Sequence, residues 1–78
     1  MTVRNKIEKY LVEGLSPAEI VEALKNEGTP RQLEAVEKSI NLLKKAYKAK
    51  TLVQLGYKIF EKNIIEYFNN AYSNKMKD

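Results

Sequence analysis

Four lysines fall within Lys44-Lys45-Ala46-Tyr47-Lys48-Ala49-Lys50, so two helical turns at that point hold four ammonium groups. Such a cluster can neutralise phosphates and release their counterions, which gives affinity without sequence preference and weakens as salt rises. Its other use is structural, since cations at a helix C-terminus complement the negative end of the macrodipole. Tyr47 lies among these lysines and could stack on a base. It also continues the apolar seam of its helix, and that position assigns it to packing.

Other chemistry is sparse. The chain has neither cysteine nor histidine, which removes disulfides, thiolate and imidazole metal ligands, and every Ser-His or Cys-His pairing. The remaining carboxylates and lysines are spread at helical spacing, with no pair of acids set in an apolar stretch. The expectation is therefore a protein that is not an enzyme, with no catalytic residue, cofactor or metal site.

The elements that must position the lysines are marked by their ends. Ser16-Pro17-Ala18-Glu19 and Thr29-Pro30-Arg31-Gln32 each place a hydroxyl at a helix N-cap. A proline follows at the first helical position, and a Glu or Gln comes three residues after the cap. Both read as capping boxes, with Gly14 and Gly28 as the C-terminal residues that close the preceding helices. The spacing predicts helix one over about Val3–Glu13 behind Thr2, and helix two from Pro17 to about Asn26, burying Ile20, Val21, Ala23 and Leu24. Leu15 and Ile20 are placed to form a hydrophobic staple.

Helix three is predicted to start at Pro30 and to carry Leu33, Val36, Ile40, Leu43 and Tyr47 as a core seam, with Ala35, Leu42 and Ala49 as a weaker stripe. Arg31, Lys38 and Lys45 recur at seven-residue intervals on its far side, joined by Lys44 and Lys48, and predict a positive outer face. The rhythm slips near Lys50-Thr51, where Thr51 is a candidate cap. Helix four then runs from about Leu52 to Tyr72. Its principal apolar positions are Val53, Tyr57, Phe60, Ile64, Tyr67 and Ala71, widened by Leu52, Leu55, Ile59, Ile65 and Phe68. So wide an apolar surface exceeds what three short helices can cover, and pairing with a second copy would cover it. Val53, Gly56, Tyr57, Phe60, Ile64, Tyr67 and Phe68 are the candidate dimer contacts. Gly56, costly inside a helix, is read as a point of close helix approach.

The fold class expected is all-α, a single domain of residues 1–78. A three-helix unit spans 3–49, a dimerisation helix 52–72 and a frayed tail 73–78. A chain of 78 residues buries one modest core, which again favours a partner. Charge is uneven. Residues 1–38 hold 6 basic and 7 acidic side chains, whereas residues 39–78 hold 8 basic and 3 acidic, so the net charge of +4 belongs to the second half. No stretch approaches the ~20 apolar residues of a membrane span, and Met1-Thr2-Val3-Arg4 leads into amphipathic sequence without a signal-type apolar core. The reading is a soluble, cytoplasmic protein that is not a membrane partner.

Two families are suggested by residues already quoted. Glu19-Ile20-Val21-Glu22-Ala23-Leu24 followed by Thr29-Pro30-Arg31-Gln32-Leu33-Glu34-Ala35-Val36 resembles the two helices of helix-turn-helix DNA-binding domains, over residues 16–43. The resemblance implies that Thr29, Arg31, Gln32 and Ala35 face base edges and Lys38 a phosphate. Arg31 and Gln32 suit guanine and adenine edges respectively. Separately, Ile7, Leu11, Glu13-Gly14-Leu15, Ala23-Leu24, Ala35-Val36-Glu37 and Leu42-Leu43 look like the three-helix ubiquitin-associated domain, over residues 7–43. That resemblance implies protein binding through the first turn and the end of helix three. The leading expectation is a dimeric regulator or accessory factor that binds double-stranded DNA. It would use Lys44, Lys45, Lys48 and Lys50 on phosphate, and Arg31, Gln32 and Lys38 for reading bases. The alternative is an interaction subunit that docks a larger protein through helix four.

Overall fold

The computed structural model describes residues 2–76 of the chain, with side-chain surroundings through Ala71. It is all-α, with α1 Val3–Val12, α2 Pro17–Asn26, α3 Leu33–Tyr47 and α4 Leu52–Met76. Thr2 caps α1 by accepting a hydrogen bond from the Asn5 amide at 3.1 Å. Ser16 caps α2 as a complete capping box, in which the Ser16 hydroxyl accepts from the Glu19 amide at 3.3 Å and the Glu19 carboxylate accepts from the Ser16 amide at 2.9 Å. The backbone bond from Ser16 is the main reason the Glu19 carboxyl titrates below the usual range.

Three turns end in the same way. The Leu15, Thr29 and Ala49 amides donate to the Tyr10, Leu24 and Lys44 carbonyls five residues back, and the Gly14, Gly28 and Lys48 amides donate three residues back. These are Schellman closures around a left-handed residue. Gly14 and Gly28 supply it at φ 87° and 79°, whereas the third turn uses Lys48 at φ 55°. That turn separates α3 from α4, and Thr51 then caps α4 through the Gln54 amide at 3.0 Å while the Gln54 side chain accepts from the Lys50 amide at 2.7 Å.

The second of the two expected capping boxes does not form. α3 begins at Leu33 with Gln32 at its N-cap and no side-chain cap bond. Thr29 is engaged elsewhere, its hydroxyl donating to the Leu24 carbonyl at 3.4 Å and accepting from Lys6 Nζ at 3.3 Å. The Schellman closure of α2 and the tie to α1 hold Thr29 on the wrong side of the loop, so Pro30, Arg31 and Gln32 join the connection. Leu33 accordingly falls on the first turn of α3 and is 45% exposed instead of heading the core seam.

All four helices share one core. Ile7, Leu11, Ile20, Leu24, Val36, Ile40, Leu43, Leu55 and Ile59 are each buried, with Tyr10 and Ala49 at the edge. α4 is as deep in this core as α2 and α3 are, and α1 packs chiefly on α4. The side of α4 that is buried is Leu55, Gly56 and Ile59, with Leu52 half-buried, and not the side of Val53, Tyr57 and Phe60. Beyond Ile59 the inward positions become Asn63, Glu66 and Asn70, and every residue from Phe60 to Asn70 is exposed. α4 therefore outruns the body, which gives extents of 47 × 29 × 17 Å and a radius of gyration of 14.4 Å. A compact chain of this length would have about 11.5 Å. The helix continues past Tyr72 to Met76, so residues 73–76 extend it where a frayed tail was expected, while Lys77 and Asp78 lie outside the described residues.

Candidate functional site

Two surfaces compete for a role, the lysine-rich corner between α3 and α4 and the outer face of α4. At the corner, Lys45, Lys48 and Lys50 are exposed and Lys44 is half-buried. Two lysines of α4, Lys58 and Lys62, join them. Lys58 Nζ donates to the carbonyls of Tyr47 and Lys48 at 3.1 and 3.0 Å, closing the C-terminus of α3. Lys62 Nζ donates to the Tyr47 hydroxyl at 3.4 Å and stands 5.5 Å from the centroid of its ring. That bond raises the Lys62 pKa, with the Tyr47 and Glu66 charges adding to it. Tyr47 is thus half-buried and engaged by a lysine, which agrees with packing rather than base stacking. The i, i+4 spacing of Lys58 and Lys62 was visible beforehand, but only the sharp turn at Lys48 brings their strip against the end of α3.

The remaining candidates do not converge on this corner. Arg31 lies in the loop, where its Nη1 donates to the Pro30 carbonyl at 2.8 Å, and Gln32 is the N-cap residue of α3. They sit a full 15-residue helix from Lys48, or about 22 Å along the axis. Lys38 and Lys45 share a shallow outer groove with Glu34 and Glu37, while Lys44 lies in another with Glu37, Pro17 and Leu52. The outer face of α3 is therefore mixed in charge along its first half and basic only at its end. Among the described residues the ion pairs are Arg4–Glu8 and Lys62–Glu66, so no carboxylate closes on Lys45, Lys48 or Lys50. Glu27 to Gln32 also make the α2–α3 connection longer than the three or four residues typical of a helix-turn-helix.

The outer face of α4 is the second surface. Val53 is 85% exposed, Tyr57 65%, Phe60 47%, Ile64 38%, Tyr67 71% and Phe68 64%. Together they leave about 750 Å² of apolar side chain uncovered, well above the few hundred Å² usual for a monomer. Tyr67 and Phe68 meet edge to face at 5.8 Å between ring centroids. The close helix approach at Gly56 is made inside the chain, where an added Cβ would stand 2.5 Å from the Leu11 carbonyl oxygen. Just outward of it, Leu11, Gly14, Leu15, Val53, Gly56 and Tyr57 line an open apolar groove of about 320 Å³ between the end of α1 and α4.

The chain matches no protein-family model, no curated protein and no solved structure. No described helix is long and apolar enough to cross a membrane.

Proposed function

We propose that this chain is a non-catalytic helical interaction module that docks protein through the outer face of α4. The observation that carries this reading is the row of six large apolar side chains on α4, 38 to 85% exposed, on a helix that is exposed at every residue from Phe60 to Asn70. A free helix of that length is marginal in water, and its stability comes from packing an apolar face against something. Burying such a row removes it from water at about 25 cal/mol per Å², which favours association. The test is affinity capture with the wild-type chain and with Phe60→Asp and Ile64→Asp variants, the captured species being identified by mass. A stoichiometric species, another copy or a different protein, should be retained by the wild type and lost by both variants. Retention of the same species by all three chains, or of none by the wild type, would refute the docking role.

Double-stranded DNA binding is the second reading, and one observation favours it. Lys48 occupies a left-handed position that glycine fills in the two equivalent turns, which costs a lysine about 1 kcal/mol. Strained positions of this kind concentrate where the side chain has a use, and Lys45 and Lys50 flank it without ion partners among the described residues. Against it stand Glu34 and Glu37 on the helix that would enter the groove, and the negative end of the α3 dipole beside the lysines. Titration of a labelled duplex at two salt concentrations tests this reading. Reversing Lys45, Lys48 and Lys50 to Glu should weaken binding and flatten the salt slope by about one unit per lost contact. Unchanged affinity would remove DNA from consideration at this corner.

A further inference from the structure

The apolar positions on the outer face of α4, Val53, Tyr57, Phe60, Ile64, Tyr67 and Ala71, are separated by four, three, four, three and four residues. This is the 3.5-residue period of helices that pack in pairs along their length, and the period is kept on a face the body of the protein does not use. The order of spacings reads the same in both directions, with its midpoint at residue 62. Turned end for end, a second α4 therefore meets the first in register. Val53 comes level with the partner's Ala71, Tyr57 with the partner's Tyr67, and Phe60 with the partner's Ile64.

We propose that a second copy of this chain occupies the face, with the two α4 helices antiparallel about a two-fold axis that crosses the outer face between Phe60 and Ile64. This inference rests on the docking role above and names its occupant.

Four observations favour this occupant and orientation. The exposed row and the flanking Phe68 together amount to about 750 Å² per copy, close to the ~800 Å² per partner of a standard stable interface. Antiparallel pairing sets Phe60 on Ile64 next to the axis, with Tyr57 on Tyr67 and Val53 on Ala71 toward the ends, whereas parallel pairing would stack Phe on Phe at one level and Ala on Ala at another. It also sets the half of α4 that outruns one body along the half that carries the other, so the uncovered segment from Phe60 to Asn70 gains a surface to rest on. Finally, Val53, Gly56, Tyr57 and Phe60 form the four-residue hole that receives a knob at the level of Tyr57. Gly56 opens that hole into the groove floored by Leu11 and Leu15. The knob at that level is the partner's Tyr67, the large side chain that is 71% exposed in the single chain.

Charge does not oppose the arrangement along most of its length. Gln54, Gly56, Asn63 and Asn70 flank the row, and Glu61 is the charged flanking residue among those described. It lies close to the two-fold axis, so the two Glu61 carboxylates approach one another.

Because the chain lacks cysteine, single-cysteine variants report the pairing directly. The wild type should sediment as a dimer. Phe60→Asp and Ile64→Asp should each raise the dissociation constant at least ~30-fold without loss of helical circular dichroism. Under mild oxidation Val53→Cys alone should not crosslink, since its two copies lie about 27 Å apart along the paired helices. A mixture of Val53→Cys and Ala71→Cys should crosslink as the mixed species, the two Cα atoms then lying within the ~7 Å that a disulfide spans. Glu61→Gln should tighten the dimer, a change that parallel pairing, which sets Glu61 beside the partner's Gly56, would not produce.

Crosslinking of Val53→Cys with itself and not in the mixture would overturn the antiparallel pairing and leave the docking role standing. A folded monomer at ~100 µM would overturn the second copy as occupant, again leaving the docking role to the capture experiment. A dimer that survives both aspartate variants would overturn this inference and the docking role together.

Discussion

Replacing Gly56 by alanine tests the most specific packing statement in the molecule. α1 runs back along α4 with Leu11 against Gly56, and the added methyl carbon would sit 2.5 Å from the Leu11 carbonyl oxygen and 3.3 Å from its carbon. Ordinary carbon–oxygen contact needs about 3.3 Å, so the two helices must part by roughly 1 Å at this crossing. The obstacle is backbone and cannot rotate away. Ile7, Leu11, Leu55 and Ile59, exposed by 4% or less, meet in the same interface and lose contact as it opens. Overpacking of this kind costs about 1–3 kcal/mol, and the better helix propensity of alanine returns about 1 kcal/mol. Because the clash is with backbone the cost falls in the upper half of that range, so the net expectation is a loss of about 1–2 kcal/mol, which for a domain of this size lowers Tm by about 10 °C. Urea and thermal unfolding followed by far-ultraviolet circular dichroism, at one protein concentration, measure it. A variant as stable as the wild type, or more stable by the propensity gain, would refute the close α1–α4 contact. If Gly56 instead served only self-association, the substitution would change the dissociation constant and leave unfolding at saturating concentration unaltered.

Lys48→Gly relieves the left-handed residue in the α3–α4 turn and should stabilise by up to about 1 kcal/mol, read as a higher urea midpoint at unchanged slope. Ser16→Ala removes a working N-cap and should cost about 1 kcal/mol, whereas Thr29→Ala, whose hydroxyl makes only long bonds to Leu24 and Lys6 and caps no N-terminus, should cost less; equal losses would mean that α3 starts at Pro30 after all. Tyr10 is pushed up to about 12, chiefly by the Glu27 carboxylate near its phenol, to which the neutral form can donate, with burial and the charges of Glu27 and Glu13 adding to it. A pKa raised in the fold means that the neutral phenol is favoured there. Its contribution is complete below about pH 10 and is lost as pH rises from 10 to 12. A near-ultraviolet titration should show one tyrosine ionising late, and Glu27→Gln should bring it back toward the others.

The helical class, the ends of α1 and α2, the break at Lys50-Thr51 and the Val36-Ile40-Leu43 core were legible in the residues because they are local. A Ser or Thr hydroxyl reaches an amide three residues on whatever the rest of the chain does, and a glycine closing a helix needs only its own backbone freedom. The same pattern at Thr29-Pro30-Arg31-Gln32 misled, since a competing local closure of α2 and a tie to Lys6 claimed the hydroxyl first. α4 shows the limit most clearly. Two apolar stripes share one helix, Leu52-Leu55-Ile59 and Val53-Tyr57-Phe60-Ile64, and periodicity ranks them only by size and regularity. The choice between them fell to α1, which can lie close to α4 only along Gly56, so the shorter aliphatic stripe went into the core and the more aromatic one stayed outside. The lysine corner is also tertiary, since Lys58 and Lys62 reach Tyr47 only because Lys48 turns the chain back on itself. Residue order determines which faces and ends exist, whereas which face meets which is decided by non-local packing that no single helix contains.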